Sequence, residues 1–187
     1  MEPFTLTDGS VVLSRPEPGD VDAITQACRD PAIAEWTTVP SPYSRADAAH
    51  FVGDLVPFKW ANGFPDWAIR TSYTGRLYGM VGFAPRGESA PEIGYWVAPE
   101  TRGQGLATAA VKLACDFAFR SDGMGLWRLE WRAFVGNYPS AAVARRTGFR
   151  FEGVARHGLV QRGIPRDVWV AALLRDDPRA PTGGWPL

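Results

Sequence analysis

The stretch Tyr95–Thr108, YWVAPETRGQGLAT, constrains the fold more than any other part of the chain. A strand-like run ends at Pro99, a short basic, glycine-rich turn follows, and a helix starts directly from it. On that helix Leu106, Ala110, Leu113, Ala114 and Phe117 share one face, and Thr108, Lys112, Asp116 and Arg120 share another, the pattern of a helix packed on a sheet. The first turn of such a helix carries N–H groups with no acceptor inside the helix, and the order strand, turn, helix aims them at one point. Arg102 adds a fixed positive charge. Gly103 and Gly105 let the main chain approach a bulky ligand without Cβ interference. The turn therefore reads as a cradle for a phosphate-bearing ligand.

The flanking elements follow from periodicity and turn chemistry. Residues 4–15 predict a strand pair or a bent strand around Asp8-Gly9. Asp20 is expected to cap a helix over 20–29, and Ser44 a second helix running to about residue 60, with a loop over 31–44 that has room for one short helix between them. Residues 66–72 and 76–84 form a hairpin signal around Thr74-Gly75, and a glycine-rich loop over 85–91 leads to a strand at 92–97. Residues 126–135 alternate cleanly as a strand. Asn137 and Pro139 open a last helix ending at Gly148, and 149–156 and 164–174 pair around a 158–163 connection. The tail from Asp176 shows no period and reads as extended or mobile. The chain is thus one α/β (α+β) domain over 1–175 with a tail at 176–187, a three-layer sandwich whose helices lie on a mixed sheet.

Composition narrows the function. With 20 Lys+Arg against 20 Asp+Glu in 187 residues, the chain lacks the excess positive charge of a broad nucleic-acid binder. No apolar run reaches membrane-spanning length, and the N-terminus has no secretory pattern, so a cytoplasmic protein with no direct nucleic-acid or membrane partner is expected. Cys28 and Cys115 read as reduced, partly buried thiols, and with only His50 and His157 the chain has no metal-site spacing. Of the eight Trp, Trp127, Trp131 and Trp169 are expected in the core. Trp36, Trp60 and Trp67 lie in Pro/Gly-rich surroundings and are candidates to line a pocket.

Three glycine-loop readings compete for the cradle. A P-loop needs a Gly-Lys pair, which is absent. A dinucleotide loop needs a third glycine where Thr108 stands, near the start of a βαβ unit. Arg102, Gly105 and Ala107 match the Arg/Gln-x-x-Gly-x-Gly/Ala signature of the GNAT acyltransferase superfamily. EIGYWVAPETRGQGLATAA (92–110), NYPSAAVARRTGFRFEG (137–153), LTDGSVVLSRPEPGDVDAI near the N-terminus and Asp167 resemble its RimJ/RimL branch. The resemblance covers about residues 5–175. It implies a mostly antiparallel mixed sheet of about seven strands with helices on both faces, acetyl-coenzyme A as cosubstrate, no metal, and pairing as dimers, as relatives often do. Two positions depart from the pattern. Ala109 stands where the branch usually has Glu, and Ala144 where many members carry a Tyr general acid.

The resemblance assigns roles. Val97 and the loop Arg102, Gly103, Gln104, Gly105, Leu106, Ala107 and Thr108 would hold the coenzyme and its pyrophosphate, and Asn137 its pantetheine arm. The backbone N–H of Trp96 or Val97 would receive the oxyanion. Ser140 would give a proton to the leaving thiolate and also contact the coenzyme. Its competing reading is a plain first-turn serine, since a thiol of pKa about 8.5 leaves readily. Glu92 is the candidate base, with Glu152 and Asp167 as rivals. Trp36, Trp67 and Tyr95 could frame the acceptor. The implied reaction is acetyl transfer to a primary amine, on a peptide or protein N-terminus or a small molecule. An α-amine, with pKa near 8, needs less help to become neutral than a lysine near 10.4. The alternative is a module that binds acyl-coenzyme A without turnover.

Overall fold

The run DWAIR shows no alternation of apolar and polar residues because all five of its residues are buried. In the computed structural model, which describes residues 1–87 and 89–187, it is strand β3 (Asp66–Arg70), paired on both sides. Strand β1 (Leu6–Thr7) pairs antiparallel with β2 (Val12–Ser14), β2 with β3, and β3 with β4 (Gly79–Arg86). Together with β5 (Ser89–Val97), β6 (Arg128–Phe134), β7 (Arg150–Gln161) and β8 (Ile164–Leu174) they form a mixed eight-stranded sheet, in the order β1-β2-β3-β4-β5-β6-β8-β7. The α/β class stands as expected, with eight strands rather than seven.

The chain divides into two compact units, Met1–Phe83 with Tyr95–Ala114 and Ala84–Gly94 with Cys115–Leu187. In the first, helices α1 (Val21–Cys28), α2 (Pro31–Trp36) and α3 (Arg45–His50) pack Val21, Ile24, Ile33 and Ala48 against Ala68 and Met80 of the sheet and Ala98 just past the end of β5. Side chains one residue along a strand point to the opposite face. There Trp67 meets Trp60, Phe4 and Phe83 edge-on, with ring centroids 5.5–5.9 Å away.

The second unit is built on β6. It runs parallel to β5 at Glu92↔Glu130 and Ile93↔Trp131, and antiparallel to β8 from Arg128↔Leu174 to Phe134↔Val168. The β7–β8 hairpin closes on Arg162 and Gly163, at φ 49° and 80°, between the paired Gln161 and Ile164. Two left-handed residues match the twist of the strands they join, so the expected 158–163 connection contracts to two residues. Likewise β4 reaches Arg86 and β5 begins at Ser89, inside the loop expected over 85–91; Glu88, within it, lies outside the described residues.

Several expectations need correcting. Asp20 does not cap α1 with its side chain. Its carboxylate takes the Glu17 N–H (2.8 Å) and faces the Arg70 guanidinium in a buried two-point pair (2.9 and 2.5 Å). Arg70 also donates to Ser14 Oγ and the Gly75 carbonyl, so one cation ties β3 to β2, to the start of α1 and to the hairpin turn. The helix capped by Ser44 is not continuous α-helix. A π-turn over Phe51–Leu55 separates α3 from α4 (Val56–Ala61), and Val56 N–H reaches back five residues to Phe51 O. Pro57 supplies the reason, because its ring opposes the carbonyl four residues earlier and it has no N–H to give. Trp127 is 72% exposed beneath the Arg175 guanidinium rather than in the core, since it precedes the first paired residue of β6. Cys28 and Cys115 are fully rather than partly buried.

The tail is ordered against the second unit. Thr182 N–H donates to Arg145 O (3.2 Å), Thr182 Oγ1 to Phe149 O (2.5 Å), and Trp185 packs on Trp131 and Phe151. An aperiodic sequence held by side-chain contacts gives no periodic signal.

Breaking the Asp20–Arg70 pair leaves a buried guanidinium without its counter-charge. Asp20→Ala is expected to lower stability by roughly 3–5 kcal/mol, read from the urea midpoint. A loss under 1 kcal/mol would show that Ser14 and Gly75 suffice for Arg70.

Candidate active site

The glycine turn belongs to the first unit. Pro99–Thr101 make one 3-10 turn after β5, and helix α5 (Leu106–Phe119) follows. Ala109 N–H donates to Gly105 O at 3.0 Å, so Gly105 is the residue before the first turn, and the N–H groups of Leu106, Ala107 and Thr108 fall where a helix has no internal acceptor. Gly103 and Gly105 sit at φ 76° and 80°. A Cβ at either would meet nothing within 4 Å. The need for glycine is therefore conformational, since a side chain in this region carries backbone strain. Gln104 Nε2 ties the turn to Glu100 O at 2.9 Å.

Arg102 does not stand alone. One guanidinium nitrogen lies 2.6 Å from Asp30 Oδ1. Asp30 also caps α2, accepting from Ala32 and Ile33 N–H at 3.1 Å each. Partial burial pushes its carboxyl upward, but the Arg102 bond and the two helix N–H groups outweigh this and hold it below the usual carboxylate range. Sequence reading missed Asp30; Asp-Pro ahead of a short helix was its only signal. Beside it a cleft of about 580 Å³ includes Asp22, Asp30, Arg76 and Glu100 in its lining. Three ion pairs border it, Asp22 with Arg45, Asp30 with Arg102, and Arg76 with Glu100, while Arg29, also in the lining, gives its Nε–H to Tyr43 O.

At the end of β5, Trp96 packs its side chain against the α1–α3 core. Gly79 lets β4 come close here, as a Cβ on it would lie 2.3 Å from Trp96 O. Ala98 N–H donates to Tyr78 O at 2.8 Å, toward β4. In extended chain successive residues turn their N–H groups to opposite sides, so the Val97 N–H faces away from β4. Trp36 ends α2 half-buried and Tyr95 is half-buried in β5. Trp67, expected to frame an acceptor, is fully buried among Trp60, Phe4 and Phe83, and Trp60 is equally buried; both are core.

The second unit holds the other candidates. Glu92 Oε2 lies 3.5 Å from Arg86 Nε and 4.0 Å from Arg132 Nε, opposite Glu130 across the parallel register. Burial pushes its carboxyl above the usual range; Arg86 and Arg132 pull it back and Glu130 adds to the rise. The ladder continues from Arg132 to Glu130 (3.2 Å), to Arg128 (3.3 Å) and to Glu152 (2.6 Å). Glu152 is held below its ordinary value by the two-point Arg128 pair, which engages both its oxygens. Asp167 lies inside β8 rather than before it, and its Oδ1 accepts the His157 N–H at the bulge in β7. Sequence reading missed Arg86, Glu130 and Arg132 as neighbours of Glu92, because cross-strand register is not written in one strand.

Helix α6 (Tyr138–Arg146) begins at Asn137, whose Oδ1 accepts the Ser140 N–H at 3.2 Å. Asn137 is buried. Ser140 Oγ in turn accepts the Trp131 indole N–H at 3.2 Å. Ala144 is fully buried. Among the described residues no group of three or more His, Cys, Asp or Glu could hold a metal ion, and no helix is long and apolar enough to cross a membrane.

A family model described as an acetyltransferase (GNAT) domain matches residues 10–150. YdaF of Bacillus subtilis, named provisionally as a ribosomal N-acetyltransferase, is 39% identical over 105 residues, 55% of this chain and 56% of that protein. The chain thus spans little more than half the length of that relative. The uncharacterized N-acetyltransferase p20 of Bacillus licheniformis is 27% identical over 91% of this chain and 96% of its own. Among solved structures, Mycobacterium smegmatis RimJ in complex with a coenzyme A disulfide superposes with a TM-score of 0.78 at 23% identity, covering 93% of this chain and 90% of that one; this likeness is one of fold.

Ser140→Ala removes more than a hydroxyl, because it leaves the buried Trp131 N–H without this acceptor. A stability loss of about 1–3 kcal/mol is expected, measured by chemical denaturation. The Trp131→Phe/Ser140→Ala double variant should lose less than the sum of the two single changes. Full additivity would show the bond to be energetically idle.

Proposed function

Because this chain belongs to the GNAT acetyltransferase family, we propose that it is a RimJ/RimL-like member and transfers acetyl from acetyl-coenzyme A to a primary amine. The acceptor is a peptide or protein N-terminus or a small-molecule amine. One observation carries the reading: two left-handed glycines deliver the chain from the end of β5 into the first turn of α5, with Arg102 beside them. That is a pyrophosphate cradle made of backbone. The residues fit the coenzyme, as Gly103–Thr108 supply N–H donors and Arg102 a cation. Bound there, acetyl-coenzyme A supplies the thioester that is attacked. The ribosomal designation of YdaF supports a protein N-terminus as one acceptor class.

In this reading the neutral amine nitrogen attacks the thioester carbonyl carbon, and the carbonyl π electrons move to oxygen. The Val97 N–H receives the developing charge, a role supported by its direction away from β4. Glu92 takes the proton that the attacking nitrogen sheds, directly or through water. When the C–S bond breaks, its electron pair goes to sulfur, which takes the Ser140 hydroxyl proton; the serine oxygen recovers one from water. The products are the amide and the free thiol. Asn137 holds the pantetheine arm while capping α6.

Glu92 is the stronger base candidate because burial raises its carboxyl, whereas Arg128 holds Glu152 low and occupied. The sign follows: a protonated Glu92 accepts no proton, so kcat/KM should fall as pH drops through its elevated value, above the ordinary 4.5. Glu92→Gln should lower kcat by about 10²-fold and remove that limb. The measurement is thiol release against pH with a panel of amines. A limb that survives in Glu92→Gln would move the base elsewhere. Coenzyme binding with no amine-dependent thiol release would favour an acyl-coenzyme A sensor, consistent with Ala144 in place of a Tyr.

A further inference from the structure

The tail reaches the candidate acid. Trp131 is 1% exposed, and its indole N–H meets Ser140 Oγ at 3.2 Å. An indole nitrogen only donates. Ser140 therefore receives from Trp131 and cannot direct its own O–H there, so that proton is turned to another partner. A hydroxyl that accepts one hydrogen bond also becomes a stronger donor through the other. Both effects are what a proton donor to a thiolate requires.

The Trp131 ring, whose backbone is held in β6, is met by the chain's last residues. Trp185 sets its ring edge-on to Trp131, with centroids 5.4 Å apart and planes at 65°, and leans on Phe151 at 5.6 Å. Its own indole N–H is anchored to Thr182 Oγ1 (3.0 Å) and Phe149 O (3.3 Å). Thr182 N–H meanwhile holds Arg145 O in the last turn of α6. The tail thus fastens one end of α6 directly and, through Trp131, the serine at its other end.

We infer that Trp131 and Trp185 are positioning residues for the Ser140 hydroxyl, with the C-terminal tail acting as the strap that sets its direction. This rests on the acetyl-transfer reading for its catalytic consequence, but the strap itself has a readout that needs no activity. In a ¹⁵N–¹H spectrum, the Trp131 indole signal, assigned by Trp131→Phe, should move in both Ser140→Ala and Trp185→Ala and return in Trp185→Phe, which keeps an aromatic edge. A Trp131 signal unmoved by Trp185→Ala overturns the strap. In turnover, Trp185→Ala should lower kcat about tenfold, a fraction of what a general acid contributes, with KM for acetyl-coenzyme A within about twofold and rescue by Trp185→Phe. An unchanged kcat, or a loss that falls on KM alone, overturns the positioning role even if the melting temperature drops. A wild-type chain inactive on every amine would sink the acetyl-transfer reading, and the indole signal would still decide the strap.

Discussion

The buried indole N–H of Trp131 is the constraint on which the second unit turns. A donor this deep costs free energy unless it finds an acceptor. Its position is set by backbone: Trp131 pairs with Ile93 of β5 on one side and Ala171 of β8 on the other. Only a neighbouring layer can supply the acceptor, and α6 does so with Ser140. That fixes the first turn of α6 against β6, and Asn137 then satisfies the Ser140 N–H. Trp185 covers the ring. Strand, helix cap and tail are thereby arranged around one hydrogen bond.

The other face of β6 carries charge instead of aromatic rings. Arg128, Glu130 and Arg132 alternate with Leu129 and Trp131, so one strand presents an ionic stripe and a buried stripe. The stripe does not treat its carboxylates alike. Glu152, near the open end, gains a two-point Arg128 pair at little desolvation cost, and its proton affinity falls. Glu92 has only looser approaches from Arg86 and Arg132 at 3.5 and 4.0 Å, sits opposite Glu130, and is buried more deeply; desolvation wins and its affinity rises. The same Arg/Glu chemistry thus yields a carboxylate held ionised at Glu152 and, in the proposed reaction, a proton acceptor at Glu92.

Periodicity made the helices at 106–119 and 138–146, the β6 alternation and the glycine turn readable, because each is a local pattern with a local cause. What sequence reading missed depends on partners far away in the chain. Asp20 looks like a helix cap until Arg70, fifty residues later, claims its carboxylate. Trp67 looks like a pocket wall beside Pro65 and Gly63, yet Phe4, Trp60 and Phe83 enclose it. Trp127 continues the alternation of β6 but lies beyond its ladder, where the Arg175 guanidinium lies over its ring. The tail has no period because side chains, not a backbone ladder, hold it. Pro57 alone hinted that the second helix could not stay regular.

The cradle itself shows how little its conspicuous cation needs to contribute. Arg102 is 42% exposed on its side chain and paired with Asp30, and an exposed ion pair is worth about 0–1 kcal/mol. Exchanging the Asp30 carboxylate for a phosphate therefore changes the energy of Arg102 little in either direction. Asp30 loses little by the exchange, since Ala32 and Ile33 N–H remain to it. The donors without such an alternative partner are the first-turn N–H groups of α5, which the helix cannot satisfy. In the proposed reading, anion affinity at this turn comes chiefly from them, and the left-handed Gly103 and Gly105 deliver the chain into that first turn. The glycines, rather than the arginine, are the residues the proposed chemistry can least do without.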